Sequence, residues 1–225
     1  MRSPKNSKGI FITGSDTEIG KTFVACAIVR SLVEASIQVG VYKPVASGLS
    51  DLESSDAHQL WIAAGKPGES LARVCPQSFT QPLAPMIAAE SENKIIDKQK
   101  IISGYDYWRE CSEFVVVEGA GGLLSPIAHR LSNADLAAQL ELPIVVVVPN
   151  RLGCVNQAML VLEVARARKL PVVAIVLNQT QNHTADLSVQ TNFELLRATM
   201  NESDFSAIAV HCFAYRQQSL RLFDE

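Results

Sequence analysis

Short continuous apolar runs alternate along the chain with longer segments whose apolar positions recur every three or four residues. The runs are "IFIT" at 10–13, "VGVY" at 39–42, "FVVV" at 114–117, "IVVVV" at 144–148 and "VVAIVL" at 172–177. Runs with no polar face are what strands buried on both sides require. Helical periodicity covers 21–35, 56–65, 97–111, 133–140, 154–168 and 187–200. Strand and helix therefore alternate, and the expected fold class is α/β: a three-layer, P-loop NTPase-like arrangement with a parallel sheet between two layers of helices. "FSAIAVHCFA" at 205–214 reads as a last short strand, and 66–96, with Pro67, Pro76, Pro82 and Pro85, as an irregular excursion. No repeat or linker divides the chain, so 1–225 is expected to form one domain. In such sheets ligands bind beyond the carboxyl ends of the strands, which directs attention to the residues just after each run.

The first run leads into "GSDTEIGKT" at 14–22. A glycine-rich turn from a buried strand into a helix aims backbone N–H groups at one point, and the helix dipole favours an anion there. Lys21 can reach outer phosphates and the Thr22 hydroxyl can ligate Mg²⁺. Five residues separate Gly14 from Gly20, one more than in the common P-loop. A carboxylate inside such a loop is repelled by a triphosphate unless a cation faces it, so Glu18 points to a second substrate bearing amines.

Later strand ends add polar groups. "YKPVASG" places Lys43 and Ser47 after the second run; Lys43 is either a solvated strand-end lysine or a charge that steadies a moving phosphoryl group. "FVVVEGAGG" ends the third run on Glu118, a carboxylate that costs free energy there unless it meets a cation such as Mg²⁺. Asp56, after the cap-like Ser55, either caps its helix or is a second acidic Mg²⁺ ligand. "RLGCVNQAML" turns into a helix whose first N–H groups can hold a carboxylate, with Asn156 as an alternative cap.

Composition narrows the chemistry. With 225 residues, 48% hydrophobic and a formal net charge of -3, the chain can bury a large core and lacks the basic excess that nucleic acid attracts. Five dispersed cysteines without a CxxC pair read as reduced thiols of a cytoplasmic protein, and the four histidines (His58, His129, His183, His211) show no metal spacing. The longest apolar run is too short to span a membrane, which takes about 20 residues. No signal-peptide pattern precedes it, and the sequon matches at Asn178, Asn182 and Asn201 are read as chance. Trp61 and Trp108 read as core or helix-face aromatics.

In order, "GSDTEIGKT", "YKPVASG", "SSDAHQL", "VVVEGAGG" and "RLGCVNQAML" closely resemble the motifs of the dethiobiotin synthetase family, including its long P-loop. The resemblance spans about residues 10 to 178 and implies an ATP- and Mg²⁺-dependent cyclo-ligase. Such an enzyme joins 7,8-diaminopelargonic acid and CO₂ through a carbamate and a carbamic-phosphoric anhydride, and works as a homodimer. It implies catalytic parts for Lys43, Lys21, Thr17 and Glu18, and metal contacts for Thr22, Asp56 and Glu118. Nucleotide contacts fall to Glu18, Ile19, Gly20, Lys21, Thr22, Phe23, Asp56, Glu118, Gly119, Ala120, Gly121 and Asn178. Thr17, Ser47 and Gly122 would meet the diamine, and Gly153, Cys154, Val155 and Asn156 its distant carboxylate across the dimer interface. Gln179 stands where the family frequently has an acid, and 207–215 lacks a proline frequent there. The guanine-type NKxD signature is absent, which leaves ATP as the expected nucleotide. The alternative is a regulatory P-loop ATPase of the partitioning or metal-insertase type, which has no need of "YKPVASG" or Glu18.

Overall fold

A computed structural model of the chain describes residues 8–49, 51, 53, 55–65, 70–182 and 186–222. The five apolar runs are the strands β1 (Gly9–Gly14), β2 (Val39–Tyr42), β5 (Phe114–Glu118), β8 (Ile144–Pro149) and β9 (Val172–Asn178), and the C-terminal run is β10 (Ala209–Phe213). They form one six-stranded sheet in the order β10, β9, β8, β1, β5, β2, every neighbouring pair parallel. The periodic segments are the helices α1 (Lys21–Glu34), α2 (Asp56–Ala63), α5 (Lys98–Cys111), α6 (Asn133–Gln139), α7 (Cys154–Ala167) and α8 (Leu187–Asn201). β1 and β8 are buried along their whole length, as strands sandwiched between helical layers must be.

That strand order places the functional ends. β1 lies between β8 and β5, and β5 lies between β1 and β2. The loops that follow β1, β5 and β2 therefore open side by side on one rim, although the residues they carry are far apart in the chain. Beneath the rim Tyr42 and Trp108 are among the largest fully buried side chains. The Tyr42 hydroxyl donates to Ile101 O at 2.8 Å, and its ring explains Gly104: a Cβ there would meet that hydroxyl at 2.4 Å. Trp61 is half-buried on α2, 5.7 Å from the His58 ring.

The irregular excursion expected at 66–96 needs correction. Within its described part lie α3 (Leu71–Val74), β4 (Gln77–Ser78) and α4 (Pro85–Ser91), and β4 pairs in parallel with β3 (Val45–Ala46). Lys43 N donates to Val74 O, Phe79 N to Ala46 O and Gly48 N to Gln81 O. The segment thus clamps residues 43–48, directly after β2. Elements of two to seven residues show no periodicity, so their order comes from this pairing. A short hairpin, β6 (Pro126–Ala128) with β7 (Leu131–Ser132), leads into α6 through a capping box between Ser132 and Asp135. Pro67 and His183 lie outside the described residues.

Candidate active site

α1 and α7 begin differently from the other long helices. Ser55, Asp97, Ser132 and Asp186 cap α2, α5, α6 and α8 through their side chains. α1 and α7 start on Gly20 and Gly153, both left-handed (φ 81° and 91°), with no side-chain cap. At α1 the first-turn N–H groups of Lys21 to Phe23 are left open, whereas at α7 Cys154 N already donates to Arg151 O at 3.0 Å and the open groups are those of Val155 and Asn156, the arrangement that binds anions. In the loop before α1, Asp16, Thr17 and Glu18 are exposed and Ile19 is buried. Glu18 takes a positive φ of 54°. Lys21 Nζ donates to Asp16 O at 2.7 Å, so the ammonium lies across the loop. Burial presses its pKa down and Glu118 opposes this, with a net lowering. Phe23 packs its ring edge-on to Phe213 at 5.5 Å, so toward a nucleotide it offers a backbone N–H.

The loop is braced from behind. Asn178, at the end of β9, donates Nδ2 to Ile19 O at 2.8 Å, while its Oδ1 is buried without a hydrogen bond. The turn after β5 packs against it: Leu123 N donates to Gly14 O at 3.1 Å, and Thr17 Cγ2 lies 3.7 Å from where a Cβ on Gly121 would stand. That turn is shaped by Asn133, fully buried at the start of α6, which donates 2.7 Å bonds to both Ala120 O and Gly122 O. Sequence reasoning missed Asn133. The capping pattern marks the helix start, but nothing local says that the next side chain points inward.

At the centre of the rim Lys43 is buried, at 6% relative exposure, which excludes the solvated strand-end alternative. Its Nζ joins Asp56 Oδ2 at 2.5 Å and Glu118 Oε1 at 2.7 Å. The Thr22 hydroxyl donates to the same Glu118 oxygen at 2.7 Å. Burial works against the charged form of Lys43, but Glu118 and Asp56 outweigh it and hold the ammonium above its ordinary pKa. Burial likewise raises Asp56, and Lys43 more than reverses it. Four residues from three separate loops therefore form one charge cluster. Ser55, not Asp56, caps α2, accepting from His58 N at 3.3 Å.

These signs fix a pH response. The Asp56 contribution is present above its ordinary 3.8 and fades as pH falls through its lowered folded value. The Lys43 contribution is present below its ordinary 10.5 and fades only above it. Urea midpoints are therefore expected to be flat with respect to this cluster from about pH 5 to 9, and a cluster-dependent step inside that window, absent from Lys43→Met, would contradict the pairing.

The donor set suits Mg²⁺. Glu118 Oε2 is buried and accepts no hydrogen bond, an orphaned anionic oxygen on the carboxylate whose Oε1 takes the Thr22 hydroxyl and the Lys43 ammonium. No group of three or more His, Cys, Asp or Glu capable of holding a metal occurs among the described residues. Two carboxylates and a hydroxyl match an ion that keeps waters and shares phosphate oxygens, rather than one held in an all-protein cage.

The remaining expected positions are placed less tightly. The Ser47 hydroxyl donates to Leu83 O at 2.6 Å, which leaves its lone pairs to accept a hydrogen bond. Gly153 and Asn156 are exposed at the start of α7, Val155 is half-buried and Cys154 is buried. Asn156 does not cap its helix. Ser15 Oγ and Gln157 Oε1, 3.5 Å apart, bring this turn against the P-loop. No helix among the described residues is long and apolar enough to cross a membrane.

A family model described as an AAA domain matches residues 8–208. An ATP-dependent dethiobiotin synthetase of Anaeromyxobacter sp. (strain Fw109-5) is 42% identical over 215 residues, covering 95% of this chain and 96% of its own. One from Rhodopirellula baltica is 37% identical over 202 residues, covering 83% and 78%. Among solved structures, a putative plasmid partition protein of Borrelia burgdorferi B31 aligns with TM-score 0.51 at 12% identity, covering 97% of this chain and 90% of its own. A ParA family ATPase of Chlorobium tepidum TLS aligns with TM-score 0.51 at 13% identity, covering 94% and 86%. At that identity the two solved structures establish the P-loop fold alone. Identity of 42% over 95% of this chain and 96% of one relative, and of 37% over 83% and 78% of another, establishes that the chain belongs to the dethiobiotin synthetase family.

Proposed function

We propose that this chain carries out Mg²⁺- and ATP-dependent carboxylation and ring closure of 7,8-diaminopelargonic acid with CO₂, giving dethiobiotin, ADP and phosphate. One amine adds to CO₂ and loses a proton, leaving a carbamate. A carbamate oxygen attacks the γ-phosphorus, ADP departs, and a carbamic-phosphoric anhydride forms. The second amine then attacks the anhydride carbonyl, phosphate leaves, and the new C–N bond closes the ureido ring. The first amine to react is drawn by Glu18, while Thr17, Ser47 and the backbone of Gly119 to Gly122 hold the diamine beside the P-loop.

The observation that carries this reading is the position of Lys43, buried between Asp56 and Glu118 and sharing the Glu118 Oε1 acceptor with Thr22. A carbamate and a triphosphate repel each other, and the pair can react only where cations are gathered and the reactants are held together. Lys21 and Lys43 supply fixed positive charge at that point, and the open N–H groups of α1 hold the phosphates. Thr22, Asp56 and Glu118 would hold Mg²⁺, which adds charge stabilisation on the phosphoryl oxygens when bound. Asn178 keeps Ile19 and hence the P-loop in register, beside its expected part in base contact.

We read 1–225 as one domain, supported by a single core cluster running from Ile10 to Leu220. We also read the protein as a cytoplasmic homodimer in which the α7 N-terminus, Gly153 to Asn156, takes the substrate's distant carboxylate across the interface. The five free cysteines suit a reducing compartment. Sedimentation at the mass of one chain would refute the dimer. Incubation with ATP, Mg²⁺, bicarbonate and diaminopelargonate is expected to give a ureido product with one phosphate per ring. Phosphate release that does not depend on the diamine would instead favour the regulatory ATPase.

A further inference from the structure

The turn that carries Gly153 to Asn156 is held by a pair of buried asparagines that no motif accounts for. Asn150 ends the β8 side of the turn, with its backbone N–H on Asn178 O at 2.8 Å and its side-chain Nδ2 on Val189 O of α8 at 3.2 Å. Asn192, on the next turn of α8, donates Nδ2 to Asn150 Oδ1 at 2.8 Å and to Arg151 O at 3.2 Å. Both asparagines are more than nine-tenths buried. Arg151 O also accepts the Cys154 N–H at 3.0 Å, which closes the turn into α7. One side-chain amide from a different helix thus holds the β8 side of the three-residue turn, including the Arg151 carbonyl that receives the Cys154 N–H. Arg151, Leu152 and Gly153 are themselves exposed and Gly153 takes φ 91°, so packing of their side chains does not determine the turn's shape.

We propose that Asn192 is a positioning residue for recognition of the substrate's remote carboxylate: it sets the β8–α7 turn and so aims the open Val155 and Asn156 N–H groups of α7. This rests on the reading that those N–H groups receive the carboxylate. Asn192 touches no reacting atom. Helix N–H donors bind an anion well only when they converge, because an amide–anion hydrogen bond weakens steeply with misalignment. Loss of the Asn192 amide leaves Asn150 Oδ1 without its donor and removes one of the two donors to Arg151 O, the Cys154 N–H remaining, and so lets the turn relax.

The test compares diaminopelargonate with the same diamine carrying a primary amide in place of its carboxylate, at saturating ATP and Mg²⁺. The native enzyme is expected to prefer the carboxylate. In Asn192→Ala that preference in kcat/KM should fall about tenfold, through KM for the diamine, with kcat and KM for ATP within about twofold of native. Asn192→Leu, similar in volume and without donors, should behave the same and serves if the alanine variant does not hold its fold. A folded variant that keeps the native preference overturns the role of Asn192 and leaves the carboxylate reading standing. A native enzyme that takes acid and amide equally overturns the carboxylate reading, and the positioning role with it.

Discussion

Lys43→Ala is expected to lower turnover by at least about a thousandfold while ATP binding changes by only a few-fold. One preorganised donor aimed at developing charge contributes about a hundred- to a thousandfold in rate, and Lys43 serves two charged partners. Its ammonium is the buried positive group nearest both carboxylates of the cluster, at 2.5 and 2.7 Å. The P-loop N–H groups and Lys21, which hold phosphates, do not depend on it. The substitution also removes the cation from Glu118, whose side chain is 1% exposed. Breaking a buried pair in this way costs about 3–5 kcal/mol of stability, although the Thr22 hydroxyl and the half-exposed Asp56 side soften the loss. Turnover therefore has to be read well below the variant's own unfolding midpoint. Lys43→Met, which keeps the volume of the side chain, separates packing from charge. Native turnover in a folded Lys43 variant would remove this residue from the chemistry.

Gly20→Ala is expected to weaken ATP binding by about a hundredfold, combining two penalties at one backbone position. A left-handed conformation costs a non-glycine residue about 1–2 kcal/mol, and Gly20 has φ 81°. A Cβ there would also stand 2.3 Å from Asn178 Nδ2, the group that braces Ile19 O. Either the amide moves and the brace is lost, or the start of α1 moves and the phosphate cradle opens. Gly153→Ala is the control: its φ is 91°, yet nothing lies within 4 Å of the added carbon. It should show the strain without the clash and leave ATP binding at the native level. Titration of a fluorescent ATP analogue measures both. Native ATP affinity in Gly20→Ala would mean that neither the strain nor the loss of the Asn178 brace reaches the phosphate cradle.

The functional reading depends on where strand ends meet, and that defines what could be read in advance. The extents of α1, α5, α6, α7 and α8 and of β1, β2, β5, β8 and β9 agree with the apolar pattern to within one or two residues, whereas β10 begins four residues after the start of the run at 205–214. Each of these segments carries its own period, and burial on one face or two is written into it locally. The P-loop was legible for the same reason, since Gly20, Lys21 and Thr22 act through spacing along the chain. The glycine turn after Glu118 was visible as composition, but the amide of Asn133 that shapes it was not.

The sequence by itself determined the elements, their alternation and the residues at each strand end, because those follow from contacts between near neighbours in the chain. Only the tertiary structure decided that β5 lies between β1 and β2, and with it that Lys43 meets Glu118 across 75 residues and Thr22 meets Glu118 across 96. It decided equally that Asn178 reaches back 159 residues to Ile19, and that Asn192 holds the turn after Asn150. A lone lysine, carboxylate or asparagine is consistent with a solvated surface or a buried pair. Strand order chooses between them, because in a buried rim each polar group must find its partner on a neighbouring strand or helix.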